Sequence, residues 1–198
     1  MLVPKRKAAE GRLIPQQQKV INGVNLTEPF NTIDAISENA EIAIFTFRAS
    51  NKWISGGQNE TVINDYDGAC QSFDRATPFV FRKDEPAILL GEDTGANPVE
   101  YLLAALAGCL TTSLVYHASA KGISINGVES TCAGHLDLRG FLGMDPSIRN
   151  GYDAIQIEFK VDADAGREQI EEIVKVAQQR SPVFDVVSRS VPVAVTLA

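Results

Sequence analysis

Few residues in this chain have side chains suited to covalent or redox chemistry, and they are widely spaced. There are three cysteines (Cys70, Cys109, Cys132) and two histidines (His117, His135). A thiolate can attack a peroxide oxygen, a disulfide or an electrophile, whereas an unreactive buried cysteine is simply a small apolar side chain. Cys109 stands in the longest uncharged run, residues 101–116, preceded by Asn97-Pro98-Val99-Glu100. Mid-helix placement would give its sulfur no help from a helix N-terminus. His117 lies eight residues further on. At about 100° per residue that offset leaves it about 80° off the face of Cys109, so it is a poor partner for the thiol. His135 has no companion at metal-ligand spacing. There is no phosphate-cradling glycine loop and no serine elbow. These patterns call for neither a metal nor an organic cofactor.

The element that must carry Cys109 announces itself. Asn97 suits an N-cap, Pro98 the first helical position, and Glu100 the carboxylate of a capping box. Gly122 follows the apolar run, where a C-terminal cap belongs. The predicted helix is about 24 residues and roughly 36 Å long. It is apolar nearly all round, so it should be enclosed by protein. Glu100 reads first as a cap, and alternatively as a carboxylate at a pocket rim. Ser181-Pro182 ends a second, amphipathic helix predicted over 166–180 and can cap a short third helix through Val187. Ser181 is thus an N-cap, or a polar group turned toward Cys109. Phe184, Tyr116 and Phe79 read as core, or as the wall of an apolar pocket.

Around these helices the texture is that of strands. Residues 41–53 are rich in β-branched and aromatic side chains; Gly56-Gly57 marks a turn, and 61–73 reads as the second strand of a hairpin. Further strands are expected over 77–81, 87–90, 128–138, 153–161 and 191–197. Residues 82–85 read as a solvated turn, and 91–96 as a loop. Strands and helices are segregated along the chain, which argues an α+β fold. Residues 1–40 read as an N-terminal arm. The first 30 or so are polar, and a short helix is expected over 31–39 with Asn31 or Thr32 as its cap. The domain proper spans 41–198.

The chain has 198 residues and a net charge of −7. An acidic surface disfavours nucleic acid and anionic membranes as partners. An odd, small number of cysteines fits reduced thiols in the cytoplasm. The basic start at Lys5, Arg6 and Lys7 is followed by no apolar stretch of the secretory kind. The run at 101–116 is shorter than a bilayer span.

Residues 91–109, Gly-Glu-Asp-Thr-Gly-Ala-Asn-Pro-Val-Glu-Tyr-Leu-Leu-Ala-Ala-Leu-Ala-Gly-Cys, resemble the helix-opening motif of the OsmC/Ohr-like superfamily. Ser181-Pro182-Val183, followed by Arg189-Ser190-Val191-Pro192-Val193, resembles the family's Cys-Pro-Val block before its last strand. The resemblance covers about 41 to the end. It implies a curved antiparallel sheet with the long helix at its centre, in an intertwined homodimer. It also implies a thiol at Cys109 that reduces organic hydroperoxides. In such enzymes the thiol becomes a sulfenic acid that a second cysteine captures, while an Arg holds the thiolate and a Glu orients the Arg.

The sequence departs from that pattern at three places. The second-cysteine position is Ser181. The Arg position falls near Ala87, with Arg82 the nearest arginine. The Glu position is Val99, with Glu100 one residue later. Cys132 and Cys70, each expected on a strand, have no spacing that marks them as substitutes. Two functions follow as expectations. One is a one-cysteine peroxidase that uses Cys109 and an external thiol reductant. The other is a non-catalytic protein that binds a small apolar or electrophilic ligand at the dimer interface, with Glu100, Ser181 and Phe184 around the pocket.

Overall fold

The computed structural model describes residues 19–197. Residues 1–18, nearly half of the expected arm, lie outside the described residues. The described part opens with a small hairpin, β1 (Val20–Ile21) and β2 (Val24–Asn25), turned by Asn22-Gly23 with both residues at positive φ. This segment is not a loose arm. The Asn22 amide donates to Ser119 Oγ and to the Ile123 carbonyl, and its oxygen accepts from Ile125 N–H. Ser119 is fully buried, so the hairpin clasps the end of the central helix. Helix α1 (Thr27–Glu38) follows. It begins four residues before the expected start, with Leu26 at the cap position rather than Asn31 or Thr32.

The strand expected over 41–53 is broken. Ala40–Ala43 form a 3-10 turn, and only β3 (Thr46–Phe47) and β4 (Ser50–Ser55) are extended. Gly56-Gly57 does make the turn into β5 (Gln58–Gly68). The strand expected over 61–73 is two strands, because the chain reverses at Ala69-Cys70 into β6 (Gln71–Lys83), which absorbs 77–81. Ala69 and Cys70 both have positive φ without being glycine. That conformation is costly for β-carbon-bearing residues, and it hides the turn from composition. Cys70 therefore sits at a hairpin tip, not on a strand. In this sheet β5 is central, paired antiparallel with β6 on one side and with β3 and β4 on the other. The strand expected over 87–90 is another 3-10 turn, Ala87–Leu89, closed by Leu90 in the left-handed region.

Helix α2 (Pro98–Ala120) begins and ends where its signals place it. After it come β7 (Ile125–His135), a helical turn α3 (Leu138–Phe141) where the strand was expected to continue, and β8 (Ala154–Ala163), antiparallel to β7. Helix α4 (Arg167–Arg180) and helix α5 (Pro182–Ser188) close the described secondary structure. The fold is α+β with open antiparallel sheets. The core gathers Leu114, Ala118, Ile123, Ile173 and Ala177 between α2, α4 and the inner face of β7 and β8.

Within one chain helix α2 buries one stripe, Leu106, Leu110, Leu114 and Ala118, against the core. Ala104, Ala105, Gly108, Thr112 and Tyr116, which project from the opposite side at about 100° per residue, are exposed. By length and composition α2 is apolar enough to cross a membrane. Residues 191–197 carry the alternating Val191, Val193, Val195 and Leu197, yet form no strand and are exposed throughout. A strand requires a neighbouring edge, and among the described residues none pairs with them.

Candidate functional site

The N-terminus of α2 is built as expected. Glu100 N–H donates to Asn97 Oδ1 at 2.9 Å, and Asn97 N–H donates to Glu100 Oε2 at 2.8 Å, a complete capping box. The loop in front of it is organised by a residue whose sequence context suggested a solvated turn. Asp84 is 1% exposed. Burial pushes its carboxyl up, but donors outweigh that effect: Thr94 N–H, Glu85 N–H, the Thr94 hydroxyl and Glu92 N–H together hold the pKa at about 2. Gly91 and Gly95 complete the loop, since a β-carbon on Gly91 would lie 1.8 Å from the Glu85 carbonyl oxygen.

A pH prediction follows. The Asp84 pKa is lower folded than unfolded, so its contribution is complete above pH about 4 and disappears as pH falls toward about 2. Asp84→Asn is expected to be less stable than wild type at pH 6, and the gap should close at pH 2. Urea melts at both values check this; a gap that stays constant contradicts it.

Cys109 is half-buried. On the helical wheel it lies about 60° from Leu106 and about 60° from Thr112, hence on the border between the buried and exposed stripes of α2. Among the described residues no hydrogen bond or ion pair reaches its sulfur. Arg82 is 77% exposed and pairs with Glu60 at 3.3 Å, while its carbonyl accepts from the Tyr101 hydroxyl. Ala87 stands in the 3-10 turn. Ser181 is 1% exposed, and its Oγ accepts from Phe184 N–H at 3.2 Å, so it is the N-cap of α5. All three cysteines are free. Burial pushes the Cys132 thiol pKa up, which reduces its thiolate fraction.

Phe184 lies elsewhere, on a cleft of about 640 Å³ between α2, β8, α4 and α5. Leu102, Leu106 and Leu110 form its floor, and Ile155, Ile157 and Phe159 line the β8 side. Arg149 and Tyr152, from the loop after α3, are also in its wall. Neither was singled out by sequence reasoning; Asn150-Gly151 marks the turn that presents them. Burial pushes the Tyr152 phenol pKa up, and the negative charge of Glu100 adds to the effect, so Glu100 stands near this cleft as well as capping α2. Cys109 is not among the lining residues, and neither is Ser181. Ser181 and Phe184 are thus joined at the start of α5 and Glu100 stands near the cleft that Phe184 lines, whereas Cys109 is outside that lining. His135 bonds through Nδ1 to Asp153 Oδ2 at 2.9 Å, at the edge of the same cleft.

With this geometry in view, comparison with known proteins is informative. The profile of the family described as OsmC-like protein matches residues 91–196, more than half of the chain. The chain belongs to the OsmC-like protein family. Solved structures agree on the fold. An OsmC-like protein from Mycoplasma pneumoniae is 16% identical, with 73% of this chain and 89% of that one covered at a TM-score of 0.56. A putative osmotic stress induced and detoxification response protein from Psychrobacter arcticus is 14% identical, with 69% and 85% covered and a TM-score of 0.52. An organic hydroperoxide resistance protein OsmC from Legionella pneumophila is 17% identical, with 73% and 90% covered and a TM-score of 0.50. No curated protein shows significant sequence similarity to the chain.

Proposed function

We propose that this OsmC-like protein reduces organic hydroperoxides through Cys109 with an external thiol reductant, as a homodimer in the cytoplasm. The observation that carries the reading is the position of Cys109: a half-buried free thiol in the family's motif, bordering the open stripe of α2. The Legionella relative is described as an organic hydroperoxide resistance protein. In the proposed step the Cys109 thiolate attacks the outer peroxide oxygen and the O–O bond breaks. Sulfur is oxidised to sulfenic acid, and the alkoxide takes a proton and leaves as the alcohol. With Ser181 spent on a helix cap, no second thiol stands in the family's place. One external thiol condenses with the sulfenic acid, releasing water. A second thiol then attacks the mixed disulfide, freeing Cys109 and an oxidised dithiol.

Exposed apolar surface supports the dimer. Among the described residues, large apolar side chains are exposed on two faces. The exposed stripe of α2 and exposed Phe47, Trp53 and Phe79 on the β3–β6 sheet supply apolar surface for it.

The peroxidase reading is tested by consumption of cumene hydroperoxide with dithiothreitol as reductant. Turnover well above that of dithiothreitol alone supports it, and its absence rules it out. For the dimer, Ala105→Glu places a charge on the open stripe of α2 and is expected to convert a species of about 43 kDa, twice the chain mass, into monomer or aggregate. Analytical ultracentrifugation reads this directly. A wild-type chain that sediments as a monomer overturns the assignment.

A further inference from the structure

Cys109 does not line the cleft floored by Leu102, Leu106 and Leu110, although at about 100° per residue it adjoins that face of α2, and the open stripe with Ala105 and Thr112 is turned away from it. The volume of the cleft, about 640 Å³, is that of a small-molecule site. Its lining is mostly apolar, with Gln178 and Ser188 on the α4–α5 side and Arg149, Tyr152 and Asp153 at the other end, where close packing fixes the Arg149 backbone and the Tyr152 ring. A β-carbon on Gly140 would lie 2.4 Å from the Arg149 carbonyl oxygen, so α3 presses directly on the backbone that carries Arg149. A β-carbon on Gly134 would lie 2.6 Å from the Tyr152 ring, so that ring lies flush on β7. The nearby acids are already engaged: Asp153 bonds His135, and Glu100 closes the capping box. Among the described residues Arg149 has no carboxylate partner. An unpaired guanidinium at the end of an apolar trough stands out in a chain of net charge −7.

We propose that this cleft binds an amphipathic monocarboxylate with an unbranched apolar tail. The carboxylate pairs with Arg149 and accepts from the Tyr152 hydroxyl, and the tail lies along Leu102, Leu106, Ile157 and Phe184. Cys109 does not line this site, and binding there does not depend on the peroxidase reading.

Isothermal titration with octanoate, decanoate and 1-decanol tests it, on protein with free Cys109 and again after Cys109 is alkylated. One decanoate per chain is expected, about 15-fold tighter than octanoate at roughly 4-fold per methylene. Arg149→Gln changes an exposed side chain and should weaken decanoate by about 10-fold or more, with decanol altered less than about 2-fold. Tyr152→Phe should act in the same direction more weakly. No decanoate binding up to millimolar concentration overturns the proposal. So does binding of several decanoates per chain, or decanoate affinity indifferent to Arg149→Gln, since either places the ligand on the open apolar surface instead. Absence of peroxide reduction in unalkylated protein that still binds decanoate would count against the peroxidase reading alone.

Discussion

Cys109→Ser is expected to abolish hydroperoxide consumption while leaving the fold and the dimer unchanged. A hydroxyl at this border position is nearly isosteric with the thiol, and no hydrogen bond to the sulfur is lost among the described residues. Its oxygen is far less nucleophilic than a thiolate and has no sulfenic state. The reduction step therefore disappears rather than slows, and the residual rate should match that of the reductant alone. Cys132→Ser and Cys70→Ser should retain most of the activity. The Cys132 thiol is pushed up by burial, and Cys70 sits at a hairpin tip. Coupled peroxide-consumption assays on the three variants, with sedimentation as the control for assembly, distinguish these outcomes. Equal activity in Cys109→Ser and wild type would remove Cys109 from the chemistry.

Leu114→Ala is expected to be the most damaging single substitution to stability. Leu114 is 1% exposed, at the centre of the core formed by Ala118, Ile123, Ile173 and Ala177. The same side chain borders a void of about 10 Å³ shared with Ile125, Val161 and Ile170. That space is at the lower limit for a water molecule. Truncation enlarges an existing cavity that rigid neighbours on α4 and β8 cannot refill. A cost of about 2–5 kcal/mol is expected, toward the upper end because of the void. Urea denaturation at fixed protein concentration measures it. A change below about 1 kcal/mol would mean the core relaxes around the gap.

The sequence was most legible where structure is local. The limits of α2 follow from Asn97, Pro98, Glu100 and Gly122, each acting within a few residues of itself. Ser181 and Pro182 likewise open α5. Asn22-Gly23 is as strong a hairpin signal as Gly56-Gly57, yet reading the start of the chain as a polar arm passed over it. The Ala69-Cys70 reversal was not legible, since neither residue is one that positive φ favours. Asp84 looked like part of a charged surface turn because its donors, up to ten residues away, are backbone groups with no sequence signature. Residues 191–197 have the right alternation for a strand, but pairing is a nonlocal property and among the described residues no edge pairs with them. The fold class and the helix bearing Cys109 could thus be read, whereas the cleft with Arg149 and Tyr152 could not. It depends on Gly134 and Gly140 admitting a loop that composition describes only as turn-rich.

The thiol chemistry is the central claim, and trapping its first product tests it most directly. Reduced protein is mixed with one equivalent of cumene hydroperoxide in the presence of dimedone, quenched at intervals, and mapped by mass spectrometry. A dimedone adduct on Cys109 is expected to form stoichiometrically and far faster than on free cysteine, with Cys70 and Cys132 unmodified on the same timescale. Oxidation of Cys109 no faster than free cysteine, or adducts spread equally over the three thiols, would contradict it.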